Sequence, residues 1–177
     1  MVPTRGHHLV LVGMMGAGKS AVGREVAQRL DRPFRDNDGL LEMQTGHTAE
    51  ELLARDGESG LHRWEAAVLI GALKMEMPAV VTAAAGVVLD EDCCARLDAA
   101  GFVVWLRARS ATLADRIEHS GEEHRPFVAD QPGAVLERLA PQREPRYATI
   151  ADAIVDTDDL SVDVIANEVV TQFRAAS

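Results

Sequence analysis

Residues Gly13-Met14-Met15-Gly16-Ala17-Gly18-Lys19-Ser20 fill every fixed position of the pattern G-x-x-x-x-G-K-(Ser or Thr), and no other stretch constrains the chain as strongly. The pattern functions only between a strand and a helix. Upstream, His8-Leu9-Val10-Leu11-Val12 is a short apolar run suited to a buried strand, and downstream Ser20 to Leu30 has helical spacing. A glycine-rich turn matching by chance would lack both flanks. Glycines let the backbone aim its N–H groups at phosphate oxygens, Lys19 supplies a cation, and Ser20 can ligate Mg²⁺. The expected contacts to a nucleoside triphosphate are Gly13, Met14, Gly16, Ala17, Gly18, Lys19, Ser20 and Ala21.

The 177 residues suffice for a sizeable core and are expected to form one domain spanning 1–177. Eighteen basic against 28 acidic residues give a net charge of −10, which removes the broad basic footprint of a nucleic-acid binder. Anionic ligands must therefore be held by a local cluster of basic groups. The longest nearly apolar run, Pro78 to Leu89, is too short to cross a bilayer, and the N-terminal run ends inside the phosphate loop. Neither a membrane segment nor a signal peptide is expected. Cys93 and Cys94 are adjacent, which fits neither a disulfide framework nor a zinc site, so reduced thiols and a cytoplasmic protein are expected.

Strands and helices alternate along the chain. Pro33 to Asp36 reads as a second strand delivering Asp36 and Asp38 at its carboxyl end, and Thr48-Ala49-Glu50-Glu51 has capping-box form. Gly57-Glu58 introduces a helix from about Leu61 to Lys74, followed by a strand Ala79-Val80-Val81-Thr82 that runs into Ala83-Ala84-Ala85-Gly86. Glu91 to Ala100 reads as helix, Phe102 to Leu106 as a fourth strand, and Ser110 to about Glu118 as helix. The polar stretch from His119 to Pro126 is the expected lid, placed at about 119–130. Helix resumes near Gly133, Ala153-Ile154-Val155-Asp156 is a fifth strand, and Ser161 caps a last amphipathic helix. Trp64 and Trp105 lie in apolar segments and are expected in the core. Five short strands with helices between them imply an α/β fold around a parallel sheet.

In this order the motifs resemble those of the shikimate kinase family, over nearly the whole chain from about Leu9 to Phe173. The phosphate loop continues into Ala21-Val22-Gly23-Arg24, Phe34-Arg35-Asp36-Asn37-Asp38 is similar to the family's F-x-D-x-D, and Gly57-Glu58 begins its G-E-x-x-F-R segment. Arg125-Pro126 resembles its lid motif, Arg143-Glu144-Pro145-Arg146-Tyr147 its R-x-P-x-Y, and Val155-Asp156-Thr157 the start of its adenine loop. The resemblance implies a three-layer α/β/α P-loop kinase fold with strand order 2-3-1-4-5, and ATP-dependent phosphorylation of shikimate at its 3-hydroxyl in aromatic amino acid biosynthesis. It departs from this chain at the acceptor. His62 stands where the family has an arginine for the shikimate carboxylate, and Ala84-Ala85-Gly86 where it has three glycines. The added methyl groups are expected to intrude on the ligand and to remove access to positive φ.

Phosphoryl transfer needs positioning and charge neutralisation, so the candidate roles follow from what can bracket a γ-phosphate. Lys19 and Arg125 are the cationic candidates, Asp38 the group that orients or deprotonates the acceptor hydroxyl, and Ser20 with Asp36 the Mg²⁺ ligands. Asp38, His62, Ala84, Ala85, Gly86 and Arg143 form the expected acceptor site, and Arg116 resembles the family's adenine-stacking arginine. Arg116 has an alternative reading as an ordinary helix-surface arginine, and His62 reads equally as a plain surface histidine. The expected partners are ATP and a small hydroxylated acceptor, with no nucleic acid or membrane, and the chain is expected to act as a monomer. Three functions stay open at this level: shikimate kinase, kinase of a related cyclitol, sugar acid or polyol, and a nucleotide-binding regulatory module.

Overall fold

A computed structural model describes residues 8–119 and 131–176. The first strand, β1 (His8–Val12), is buried along its whole length, as the apolar run Leu9 to Val12 requires of a strand covered on both faces. It lies in the middle of a five-stranded sheet of order β2-β3-β1-β4-β5, with β2 Phe34–Asp36, β3 Val80–Thr82, β4 Gly101–Arg107 and β5 Ala153–Asp156. Every pairing is parallel, with Leu9 opposite both Val80 and Phe102. The expected strand order is therefore met.

Helices α1 (Lys19–Leu30), α2 (Asn37–Thr45), α3 (Ala49–Leu73), α4 (Glu91–Ala100), α5 (Ser110–His119), α6 (Pro132–Ile150) and α7 (Val162–Ala175) connect and cover the strands. Leu9, Leu11, Val22, Leu69, Leu97, Leu106 and Val169 meet in one core, each worth about 1.5–3 kcal/mol when fully buried. A smaller cluster, Leu41, Leu52, Leu61 and Val68, holds α2 against α3. Two caps follow sequence rules. Thr48 and Glu51 form the reciprocal capping box at the start of α3, and Ser161 accepts from the Val164 N–H at the start of α7.

Helix α3 is two helices that meet at a kink, where Gly57 takes the non-helical φ 72°, ψ 179°, so the two elements expected here are both present. One expectation needs correction. Trp64 is 41% exposed, with its indole N–H donating to Asp56 at 3.2 Å. The buried arc of α3 runs through Leu61, Glu65, Val68, Leu69 and Ala72, and Trp64 falls outside it, so helical phase overrode residue type. Trp105 is buried as expected, its ring 5.6 Å from that of Tyr147.

Candidate active site

At the carboxyl end of β1 the chain turns through Gly16 (φ 82°) and Gly18 (φ 85°), both left-handed. A β-carbon on Gly16 would also lie 2.7 Å from the Leu113 carbonyl oxygen, so glycine is required there on two counts. Gly18 caps α1 without a side-chain hydrogen bond, and the first turn of α1 carries no acidic residue. Its leading N–H groups are thus left to an external anion. Lys19 folds back over the loop, donating to the carbonyls of Gly13 at 2.8 Å and Met14 at 3.1 Å.

Asp36 ends β2 and caps α2, directly opposite Thr82 in the sheet register. Its carboxylate accepts from the Ser20 hydroxyl at 3.2 Å and from the Thr82 hydroxyl. Two hard oxygen donors, Ser20 and Asp36, so converge beside the phosphate loop, a donor set that suits Mg²⁺. Asp38 sits in the first turn of α2.

The opposite wall comes from α3 and α6. Arg143 is only 3% exposed, and among the described residues its Nε has no hydrogen-bond partner. Four residues on, the buried Tyr147 donates its hydroxyl to the Ala85 carbonyl at 2.6 Å, pinning the segment that follows β3. Burial first, and then the nearby Glu144 and Glu65 charges, push the phenol well above its usual range against the opposing Arg143 charge. His62 is half-buried, and burial, then the Arg143 charge, lowers its pKa. Its ring lies so close to Gly86 that a β-carbon there would come within 2.7 Å of Nε2. Glu65, one turn along α3, is pushed up to about 8, first by burial and then by the Asp38 charge, with Arg143 and Lys19 opposing.

The positive φ that alanine would deny to positions 84 and 85 is not used there. Among the described residues the non-glycine positions with positive φ are Asp31 and Asp159, and Gly86 itself is right-handed at φ −86°. What glycine secures at position 86 is room for the His62 ring rather than an unusual backbone.

A single cleft of about 390 Å³ gathers most of the expected residues. Gly16, Gly18, Lys19, Ser20 and Ala21 line it, as do Asp36, Asp38, His62, Ala84, Ala85, Gly86 and Arg143. Gly13, Met14 and Ala17, in the same loop, are buried and do not line the cleft. Arg116 is also outside the lining. Its guanidinium donates to the Thr157 hydroxyl at 3.0 Å and to the Thr157 carbonyl, placing it beside the loop after β5. Arg125 lies outside the described residues, as does nearly all of the expected lid. Sequence reasoning missed Asn37, Glu65 and Thr82, which line the same cleft. The helical spacing from His62 to Glu65 was the available signal for one of them.

A phosphate loop at the switch of a 2-3-1-4-5 parallel sheet, with carboxylates and a buried arginine across one cleft, defines a P-loop kinase of small molecules. Comparison with known proteins narrows this. The profile described as "Shikimate kinase" matches residues 15–174. Shikimate kinase of Symbiobacterium thermophilum is 38% identical over 168 residues, covering 94% of this chain and 96% of that protein, and a Shewanella (strain ANA-3) shikimate kinase is 39% identical over 166 residues, covering 93% and 95%. The solved structure of shikimate kinase from Acinetobacter baumannii in complex with shikimate superposes with a TM-score of 0.89 at 27% identity, covering 97% of this chain and 94% of that one. The chain belongs to the shikimate kinase family.

Proposed function

We propose that the protein transfers the γ-phosphoryl group of Mg-ATP to the 3-hydroxyl of shikimate. The observation that carries this reading is the single cleft in which the phosphate loop faces Asp38, Glu65 and Arg143. The acceptor oxygen attacks the γ-phosphorus, the bond to the β–γ bridging oxygen breaks, and Asp38 orients the hydroxyl and receives its proton. Lys19 and the leading N–H groups of α1 offset charge on the phosphates, while Arg143 takes the acceptor carboxylate through its planar fork. Mg²⁺, held through Ser20 and Asp36, would neutralise phosphate charge. Arg116, tethered to Thr157, would face the adenine, and Arg125 would close on the transferring group.

Burial beside Arg143 disfavours a charge on His62, which therefore supports a second reading, a related polyol without a carboxylate at that place. A coupled ADP-release assay with Mg-ATP against shikimate, quinate, gluconate and several cyclitols tests both. Shikimate turnover that disappears in Lys19→Ala is expected. Turnover retained in that variant would overturn the phosphate-loop assignment, and silence across the panel with ATP still bound would point to a nucleotide-binding regulatory module.

A further inference from the structure

We propose that Asn37 is a specificity-determining residue of the acceptor site, its side-chain amide binding a pair of ring hydroxyls next to the one that is phosphorylated. This inference rests on the kinase reading above. Among the described residues, three buried side-chain polar atoms have no hydrogen-bond partner: Asn37 Nδ2, Asn37 Oδ1 and Arg143 Nε. Both residues line the same cleft. Asn37 is 2% exposed, and its backbone N–H donates to the Thr82 hydroxyl at 3.3 Å, which anchors the residue between Asp36 and Asp38.

A buried amide with neither end satisfied weakens the fold, and an apolar side chain of similar shape would avoid that cost. An external ligand is the partner that makes the amide worth keeping. Its chemistry is set by the amide itself, which offers an accepting oxygen and a donating NH₂. A carboxylate or phosphate can satisfy only Nδ2 and would leave Oδ1 facing negative charge. Two adjacent hydroxyls satisfy both ends, one donating to Oδ1 and the other accepting from Nδ2. Because the amide holds no hydrogen bond, turning it onto a ring breaks none. The polar work is then divided: Asp38 takes the reacting hydroxyl, Arg143 the anionic group and Asn37 the remaining hydroxyls.

The test compares wild type with Asn37→Leu and Asn37→Ala, using shikimate and its 4-deoxy and 5-deoxy analogues. Losing one or two hydrogen bonds should raise the KM for shikimate about 5- to 100-fold, with the KM for ATP within about twofold of wild type. Melting temperature should hold or rise in Asn37→Leu, and the KM penalty should shrink with at least one deoxy analogue. A fall in melting temperature with unchanged shikimate KM would mark Asn37 as structural and overturn the proposal. So would a KM penalty equal for shikimate and both deoxy analogues. Wild-type silence on shikimate would instead overturn the acceptor assignment, and this inference with it, whereas turnover with unaltered KM in the variants removes the role of Asn37 alone.

Discussion

Glu65 is 7% exposed and faces Asp38 across the cleft, so its ionised form is disfavoured in the folded protein. Its pKa rises from an ordinary 4.5 to about 8. A carboxyl raised in this way contributes stability that is fully present below 4.5 and lost as pH climbs through about 8. At about 1.4 kcal/mol per pH unit the whole interval amounts to about 5 kcal/mol, of which about 3 kcal/mol is lost between pH 5 and pH 8. Glu65→Gln keeps the shape and cannot ionise. Urea or thermal unfolding of both proteins across pH 5 to 8.5 should therefore show the variant gaining on wild type by about 3 kcal/mol, or roughly 6–12 °C in Tm for a chain of this size. Lys19 and Arg143 oppose the shift, so their charges set how much of that interval is realised. Parallel stability curves for the two proteins would refute the reasoning, because they would mean that Glu65 is ionised in the folded state at neutral pH.

Three further changes probe the same framework. His62→Arg restores a fixed cation at the acceptor end and should lower the KM for shikimate about ten- to a hundredfold in steady-state assays, and an unchanged KM would mean that no acceptor carboxylate lies there. Gly86→Ala would place a methyl group 2.7 Å from His62 Nε2, and the displaced ring should raise the acceptor KM while leaving that for ATP alone; unaltered acceptor kinetics would show that the ring position does not matter. His8 accepts from the Ala79 N–H at 3.1 Å and lies 3.1 Å from the Met75 carbonyl, and burial, then the Arg35 charge, lowers its pKa below 6.5. Its contribution is present above pH 6.5 and lost as pH falls through the lowered folded value, so wild type should lose stability on acidification where His8→Gln does not, as read from Tm between pH 5 and 7.

Much of the donor half of the site was legible in the chain because it is local. Gly13 to Ser20, the strand before it and the helix after it are contiguous, and loop geometry follows from residue type within a few positions. The strand order likewise matches what the motifs implied. The acceptor half was legible only as a set of residues. For Ala84 and Ala85 the concern over lost access to positive φ depended on φ values no sequence displays. Trp64 was assigned inward by its apolar surface, yet the phase of α3 turns it to solvent and turns Glu65 into the cleft.

The sequence by itself determined a parallel α/β sheet, the nucleotide-phosphate loop and the family, since periodicity and short motifs are properties of neighbouring residues. Tertiary structure alone decided which side chains share the acceptor cleft. Asn37 on α2, His62 and Glu65 on α3, and Arg143 on α6 are brought together by packing across the sheet. Only that packing removes water from them, leaves the Asn37 amide without a partner among the described residues, pushes the Glu65 pKa up and lowers that of His62.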